Sequence, residues 1–478
     1  MKRSSHNLSH HHLTTGDMGY LYPAACIEVL PGDTFIGACS MLMRIAPLAT
    51  PVMHPVDIRM HYWYVPNRLI WSQWEDFITG DDTIAIPTVT PANQAQTLIL
   101  DRMGHPPRIG EATNALPVYA YNLIYNTRYR DQDVQTEVTQ GNLALHRIAW
   151  EKDYFTTCRP AGIAGDSIDI PFSFTGTDLE VQGIFRNNGG PAATSAYRDD
   201  GTLFTPGGQS RFGNAMVQTD ATNAGTEWTQ PFISGSDLSA AGGIDINDFR
   251  RTMAFQRFAE ARARYGSRYI DYLRYCGVNP SDGRLDLPEY LGGGRGTINF
   301  SEVLATAEGA NTTVGEMFGH GISGMRTRRW RKMFEEHGFM IALLSVRPKA
   351  MYSNAIPRHF LRKDPMDYFQ KELQVMPWQA VTEKEIYAPG SESTVFGYAP
   401  RYDEYRRHMS YVSGEFRETT FDSWHMSRNF TSAPGLNNAF ISCEPTDRIY
   451  QDTVQPEFVA TMNHNIRARR MVNARAAL

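Results

Sequence analysis

The sequence predicts a mainly β protein with large loop insertions and a few short helices. Gly, Pro and Tyr are plentiful while charged residues make up only 20% of the 478 residues, a balance that favours turns and short strands over long helices. The stretch "VDIRMHYWYVP" alternates, so that Val56, Ile58, Met60, Tyr62 and Tyr64 share one face of a strand. A near-continuous apolar run from Phe339 to Val346 has the length of a buried strand. Length alone allows several domains or one large β unit carrying insertions.

The elements follow in chain order. The start, "MKRSSHNLSHHHLTTGDMGY", has two basic residues but no apolar segment behind them, so it does not read as a signal peptide. Its run His10, His11 and His12 reads as a solvated polar arm, with a metal site as the alternative. "IEVLPGDTFIGACSMLMRIAP" reads as two strands about a Pro-Gly-Asp turn. On the strand from Val56, His61 and Trp63 point away from the tyrosines, so both faces are covered. Pro66-Asn67 ends that strand, and Leu69, Ile70, Gln73, Trp74 and Phe77 then fall at helical spacing before a stop at Gly80. "VYAYNLIYNTRYRD" is helical, with Tyr121, Ile124, Tyr125 and Arg128 in register.

From Ala161 to Gly243 the chain turns rich in Gly, Thr, Ser and Asn. A structureless loop of that length does not suit a compact domain, so residues 161–243 read as an exposed insertion with short strands of its own. The clearest helix opens at "IDINDFRRTM", with Asn247 or Asp248 as its cap and Gly266 dividing it. "GGGRG", from Gly292, reads as a turn, since no GK[ST] follows to make a phosphate loop. The tail, residues 462–478, carries Arg467, Arg469, Arg470 and Arg475 and no acid.

Searching the chain for chemistry excludes several classes. No apolar run approaches the ~20 residues of a membrane span. The five cysteines are widely spaced without a CxxC pair, and read as reduced thiols. No nucleophile motif, zinc motif or phosphate loop occurs, so the chain reads as non-enzymatic, with no cofactor and no metal. Asp81-Asp82 and Asp199-Asp200 read as solvated loops rather than calcium ligands. The basic residues are more informative. "GMRTRRWRKMF" crowds Arg326, Arg328, Arg329, Arg331 and Lys332 about Trp330. Three readings stay open: charge plus a stacking ring for single-stranded nucleic acid, a solvated β-hairpin, or arginines that answer acidic patches on a neighbouring subunit. The tail arginines, dense and unopposed, read as a flexible arm on phosphate.

Several stretches in order then carry a resemblance: "LSHHHLTTGDMGYLYP", "EVLPGDTF", "RIAPLATPVMHPVDIRMHYWYVPNRLIWSQWEDFITG", "RYGSRYIDYLRYCGV", "LPEYLGGGRGTINFSEVLAT", "EEHGFMIALLSVRP" and "FGYAPRYDEYRRHMSYVSGEFR". Together they resemble the F-type major capsid protein of the Microviridae, nearest the gokushovirus-like branch. The resemblance implies one capsid domain over residues 1–478, an eight-stranded antiparallel jelly roll with large insertions. It implies a bacteriophage virion of sixty copies, built through pentamers in a T=1 shell around circular single-stranded DNA. Synthesis would be in the bacterial host cytoplasm, with assembly helpers and a small basic packaging protein as partners. Residues 161–243 would form the threefold protrusion, a candidate for host attachment.

A shell subunit needs apolar rings toward its neighbours as well as inward, which accounts for the aromatic density between Arg59 and Gly80 and places Trp71 or Trp74 at a subunit contact. A net charge of -5 means that one subunit does not neutralise its share of a polyanion, so basic residues must be segregated to one face or supplemented by a partner. The competing readings are a secreted sugar-binding jelly roll, a dedicated single-stranded DNA-binding protein and a cupin-like metalloenzyme. The missing signal peptide, the acidic net charge and the absence of an HxH pattern beyond the N-terminal run count against them in turn.

Overall fold

In the computed structural model, the described residues are 3–79, 83–162, 246–266, 268–308 and 313–473, with four two-residue strands between 181 and 233. Eight strands form the frame: β1 (His10–Gly16), β2 (Leu21–Val29), β3 (Thr34–Ile45), β4 (Val56–Pro66), β5 (Glu289–Thr297), β6 (Met317–Arg326), β7 (Gly338–Pro348) and β8 (Phe458–Arg470). One sheet runs β1-β8-β3-β6 and the other β2-β7-β4-β5. Every neighbouring pair is antiparallel. First pairs with eighth, second with seventh, third with sixth and fourth with fifth, which is the nested pairing of a jelly roll. Short strands widen the first sheet: Ser4–Asn7 beside β8, Trp330–Met333 beside β3 and Asn299–Leu304 beside β6.

The interior is filled by alternate residues of both sheets, among them Phe35, Met43, Ile58, Tyr62, Met340, Leu344, Phe458 and Ile466. The β2-β7-β4-β5 sheet is also covered on its outer face. There Trp63, Val65, Ile341 and Leu343 pack on Ile99, Leu116, Val118 and Tyr121. Those partners come from helices Gln94–Met103 and Leu116–Ile124. Asn93 caps the first by accepting from the Gln96 N–H at 3.0 Å, and Gly104 ends it at φ 100°. This double cover explains why all eleven residues of β7 are buried and why its sequence is apolar without alternation.

Insertions occupy residues 67–288, between β4 and β5, and 349–457, between β7 and β8. The second builds its own core, in which Tyr352, Val381, Ile386 and Phe440 pack with Trp150 and Phe155. The chain divides into two compact units, Met1–Ala164 with Arg262–Leu478, and Gly165–Ala261. Residues 161–243 lie largely outside the described residues, as do Asp81-Asp82 and Asp199-Asp200. The described strands there pair Val181–Gln182 with Phe232–Ile233 and Ala196–Tyr197 with Leu203–Phe204.

Several local expectations change. The helix expected after Pro66 is two, Asn67–Ile70 and Trp74–Thr79. The long helix spans Ile246–Tyr265, so Asn247 and Asp248 lie in its first turn rather than at the cap. Gly266 does end it, at φ 111°, before a second helix Tyr269–Tyr275. The N-terminal histidines are not a solvated arm. They belong to β1, where Nδ1 of His12 lies 2.6 Å from the Ala24 carbonyl oxygen and the His10 ring stacks on His464 at 5.0 Å.

"GGGRG" is not a turn but the middle of β5. A Cβ on Gly293 would sit 2.3 Å from the Met60 carbonyl oxygen, so the strand approaches β4 too closely for a side chain. A Cβ on Gly37 would meet the Trp330 ring at 2.5 Å, and Gly292 flanks the same side chain. Trp330 therefore fills a slot between bare backbones and packs on Tyr62 at 5.3 Å. Trp330→Ala is expected to cost about 3–5 kcal/mol in urea unfolding. The exposed neighbour change Arg331→Ala should leave the urea midpoint unmoved.

Candidate nucleic-acid face and subunit contacts

The sheet β1-β8-β3-β6 has one face in the core and one in solvent. Alternation decides which residues face out. On β8 the inward set is Phe458, Ala460, Met462, His464, Ile466 and Ala468, which leaves Asn463, Asn465, Arg467 and Arg469 outward. On β3 the same alternation exposes Ser40, Leu42 and Arg44, and on β6 it exposes Arg326. Arg331, on the short strand beside β3, is also exposed.

The register groups these side chains. Arg467 and Arg331 both pair with Ile36, from opposite sides, about 10 Å apart by two strand spacings. Arg326 pairs with Ser40, and Arg44 with Val459. No Asp or Glu occurs in Ser4–Asn7, β1, β3, β6, Trp330–Met333 or β8. Among the described residues, none of Arg44, Arg326, Arg331, Arg467 and Arg469 has an ion pair within 4 Å. The result is a one-sign field on a chain whose net charge is negative.

Each predicted contact residue now has a place. Arg467 and Arg469 stand on this face, but on a rigid 13-residue strand rather than a flexible arm. Arg470 is not free: its Nε donates to Asp33 at 2.9 Å, and that carboxylate is fully buried. Arg328 is exposed in the loop before Trp330. Trp330 itself is 6% exposed and turned into the core, so it offers no surface to a base. Arg475 lies outside the described residues. Sequence reasoning missed Arg44, which lacks basic neighbours along the chain and joins the group only through strand pairing.

Trp71 and Trp74 stand elsewhere, half-buried on the outer cover of the second sheet. Trp71 packs on Phe77 at 5.3 Å and Trp74 on His337 at 5.6 Å. Neither ring enters the roll interior, and both keep solvent-facing area. A separate, acidic cavity of about 340 Å³ is lined by Asp17, Glu444, Asp447 and Glu457 with Arg147 and Tyr450. Burial, helped by Asp17 and Asp447, pushes the Glu457 carboxyl up to about 7, although the Met18 N–H donates to it at 2.6 Å. Among the described residues, no group of three His, Cys, Asp or Glu is placed to hold a metal ion.

Two measurements check this electrostatic picture. Arg470→Ala strands the buried Asp33 carboxylate and is expected to cost roughly 3–5 kcal/mol, read by chemical denaturation. Glu457 holds its proton more tightly folded than unfolded, so stability falls as pH rises from about 4.5 to about 7. Glu457→Gln keeps an acceptor for Met18 and loses that slope. Its melting temperature should pull ahead of the wild type as pH rises through this window.

Residues 1–477 match the family profile described as capsid protein (F protein). Capsid protein VP1 of Chlamydia phage 1 is 32% identical, over 98% of this chain and 94% of the relative. VP1 of Bdellovibrio phage phiMH2K is 31% identical, over 93% and 89%, and VP1 of Spiroplasma virus 4 is 25% identical, over 92% and 87%. All three relatives are gokushoviruses. Among the described residues, no helix is long and apolar enough to cross a membrane. With a jelly roll beneath it and a match along almost its whole length, the chain belongs to the F-type capsid protein family of the Microviridae, in which its role is structural.

Proposed function

We propose that this chain is the shell subunit of a small single-stranded DNA phage, sixty copies forming a T=1 capsid with the arginine face of the β1-β8-β3-β6 sheet turned toward the genome. The observation that carries the DNA contact is the acid-free face itself. Five exposed arginines stand there without an ion pair among the described residues, on strands that hold no Asp or Glu. Guanidinium groups on a rigid sheet track phosphate without reading bases, because no exposed aromatic ring accompanies them on those strands. Sequence-independent contact of this kind suits a shell that meets its genome at many places.

The net charge of -5 still requires help, and a small basic packaging protein is the partner that supplies it. The half-exposed pair Trp71 and Trp74 supports a subunit contact on the outer cover, since large rings are enriched at such interfaces. Residues 161–243 form the surface protrusion in this reading, with host attachment as its role. Assembly through pentamers is the matching intermediate.

The test is salt-dependent binding of the purified full-length chain, or of opened particles, to a single-stranded oligonucleotide. Arg467→Ala with Arg469→Ala should weaken binding equally for all sequences and lower the slope of log K against log salt by about 0.7 for each phosphate that loses its arginine. Binding that ignores both changes would assign the DNA contact to another surface. Light scattering and negative-stain microscopy of the same preparation test the shell.

A further inference from the structure

Two other exposed surfaces in the same compact unit complement each other. The first is formed by the described residues 299–308 and 313–317, whose strand Asn299–Leu304 widens the sheet beyond β6. Among the described residues its strand Asn299–Leu304 pairs only with β6, so its other edge carries open backbone donors and acceptors. Natural edges are blunted by Lys or Pro, and this segment contains neither. Instead Val303, Leu304 and Val314 are 46%, 54% and 66% exposed. Its charges are all acidic: Glu302, Glu308 and Glu316 are exposed, with no Lys or Arg in the segment and no ion pair among the described residues.

The second surface is the helical stretch 262–278. Tyr269, Tyr272 and Tyr275 stand at helical spacing on the helix Tyr269–Tyr275, and Tyr265, at the end of the preceding helix, packs on Tyr275 at 5.0 Å; each is 44–64% exposed. Arg262 and Arg264 are exposed beside them. The stretch is held from below by Arg268, whose guanidinium donates to the backbone carbonyls of Asn126 and Arg130 at 3.2 Å. Tyrosine and arginine clustered across these two helix ends have the composition of an interface core.

We propose that the acidic, apolar edge formed by residues 299–308 and 313–317 of one copy packs on the tyrosine and arginine face of residues 262–266 and 268–278 of a neighbouring copy. The proposal rests on the shell reading above. Both surfaces are apolar, their charges are opposite and one chain carries both. Different patches meeting in this way make a head-to-tail contact, which closes into a ring when the rotation allows. The same contact would cover the open strand edge that the fold otherwise leaves exposed.

Cys276 is an exposed free thiol at the end of the helical face and serves as a built-in probe. Particles carrying Leu304→Cys are oxidised and run on a non-reducing gel. A ladder of dimers and higher species is expected, and Cys276→Ser in the same background should abolish it. As a second measurement, Glu302→Arg with Glu316→Arg should lower particle yield at least tenfold, and adding Arg262→Glu with Arg264→Glu should restore it. Particles that form normally yet give no ladder and ignore the charge reversal overturn this contact and leave the shell reading intact. Ultraviolet crosslinking of DNA to Tyr269 or Tyr272 in such particles would also overturn it, assigning the helical face to base stacking. A wild-type chain that forms no particle under any condition overturns the shell reading and this contact together.

Discussion

The roll depends on the placement of β8. This strand lies between β1 and β3 and pairs with β3 over twelve residues, Phe458 opposite Ile45 through Arg469 opposite Thr34. Its inward side chains, Phe458, Met462, His464 and Ile466, are all fully buried and close the interior against β4 and β7. Two polar devices fix its register. His464 lies 3.0 Å from the Tyr62 hydroxyl across the core, and burial with His10 and His12 nearby pushes its imidazole down to about 3, so it stays neutral. At the far end Arg470 reaches Asp33, the same carboxylate that accepts the Leu30 N–H within the Pro-Gly-Asp turn. A one-residue slip of β8 would bury the arginines and expose the core set.

The same alternation that builds the core builds the arginine face. Successive residues on β8 have opposite fates, and the sequence "NHNIRARR" uses both. Ile466 and Ala468 go inward, while Arg467 and Arg469 go outward. Positive charge is thereby segregated without making the subunit basic, because acids are placed elsewhere, around the cavity near Glu457 and along the hairpin after β5. Charge patterning, rather than net charge, gives a chain of net charge -5 one arginine-lined surface.

Much of this was legible where periodicity acts locally. The alternating strand from Val56 and the apolar run from Phe339 become β4 and β7, the helix near Tyr121 forms, and Gly266 breaks the long helix. Failures occur where a neighbour distant in sequence decides. Gly292 to Gly296 look like a turn because glycine is a turn residue; their reason is the close approach of β4 and Trp330. Trp330 looks available for stacking because it stands among arginines, yet Gly37, nearly three hundred residues earlier, makes room for it inside. The tail looks like a loose arm by composition. Its strand signal was the period-two alternation of small or apolar residues with polar ones from Met462 to Arg469. The pairing order of the eight strands came through family resemblance, since local sequence does not encode which strands meet.

The central position of β8 also has a consequence in time. At about 5–20 residues per second, on the order of half a minute of translation separates the emergence of β3 from that of β8. Throughout that interval β3 is complete but lacks its longest hydrogen-bonded neighbour, and the roll stays open on that side of the strand. A truncated product therefore has no closed roll to present to other subunits. Strand order thus makes closure of the sheet the last step: only a polypeptide translated through Arg470 can bridge β1 and β3 along the whole length of β8.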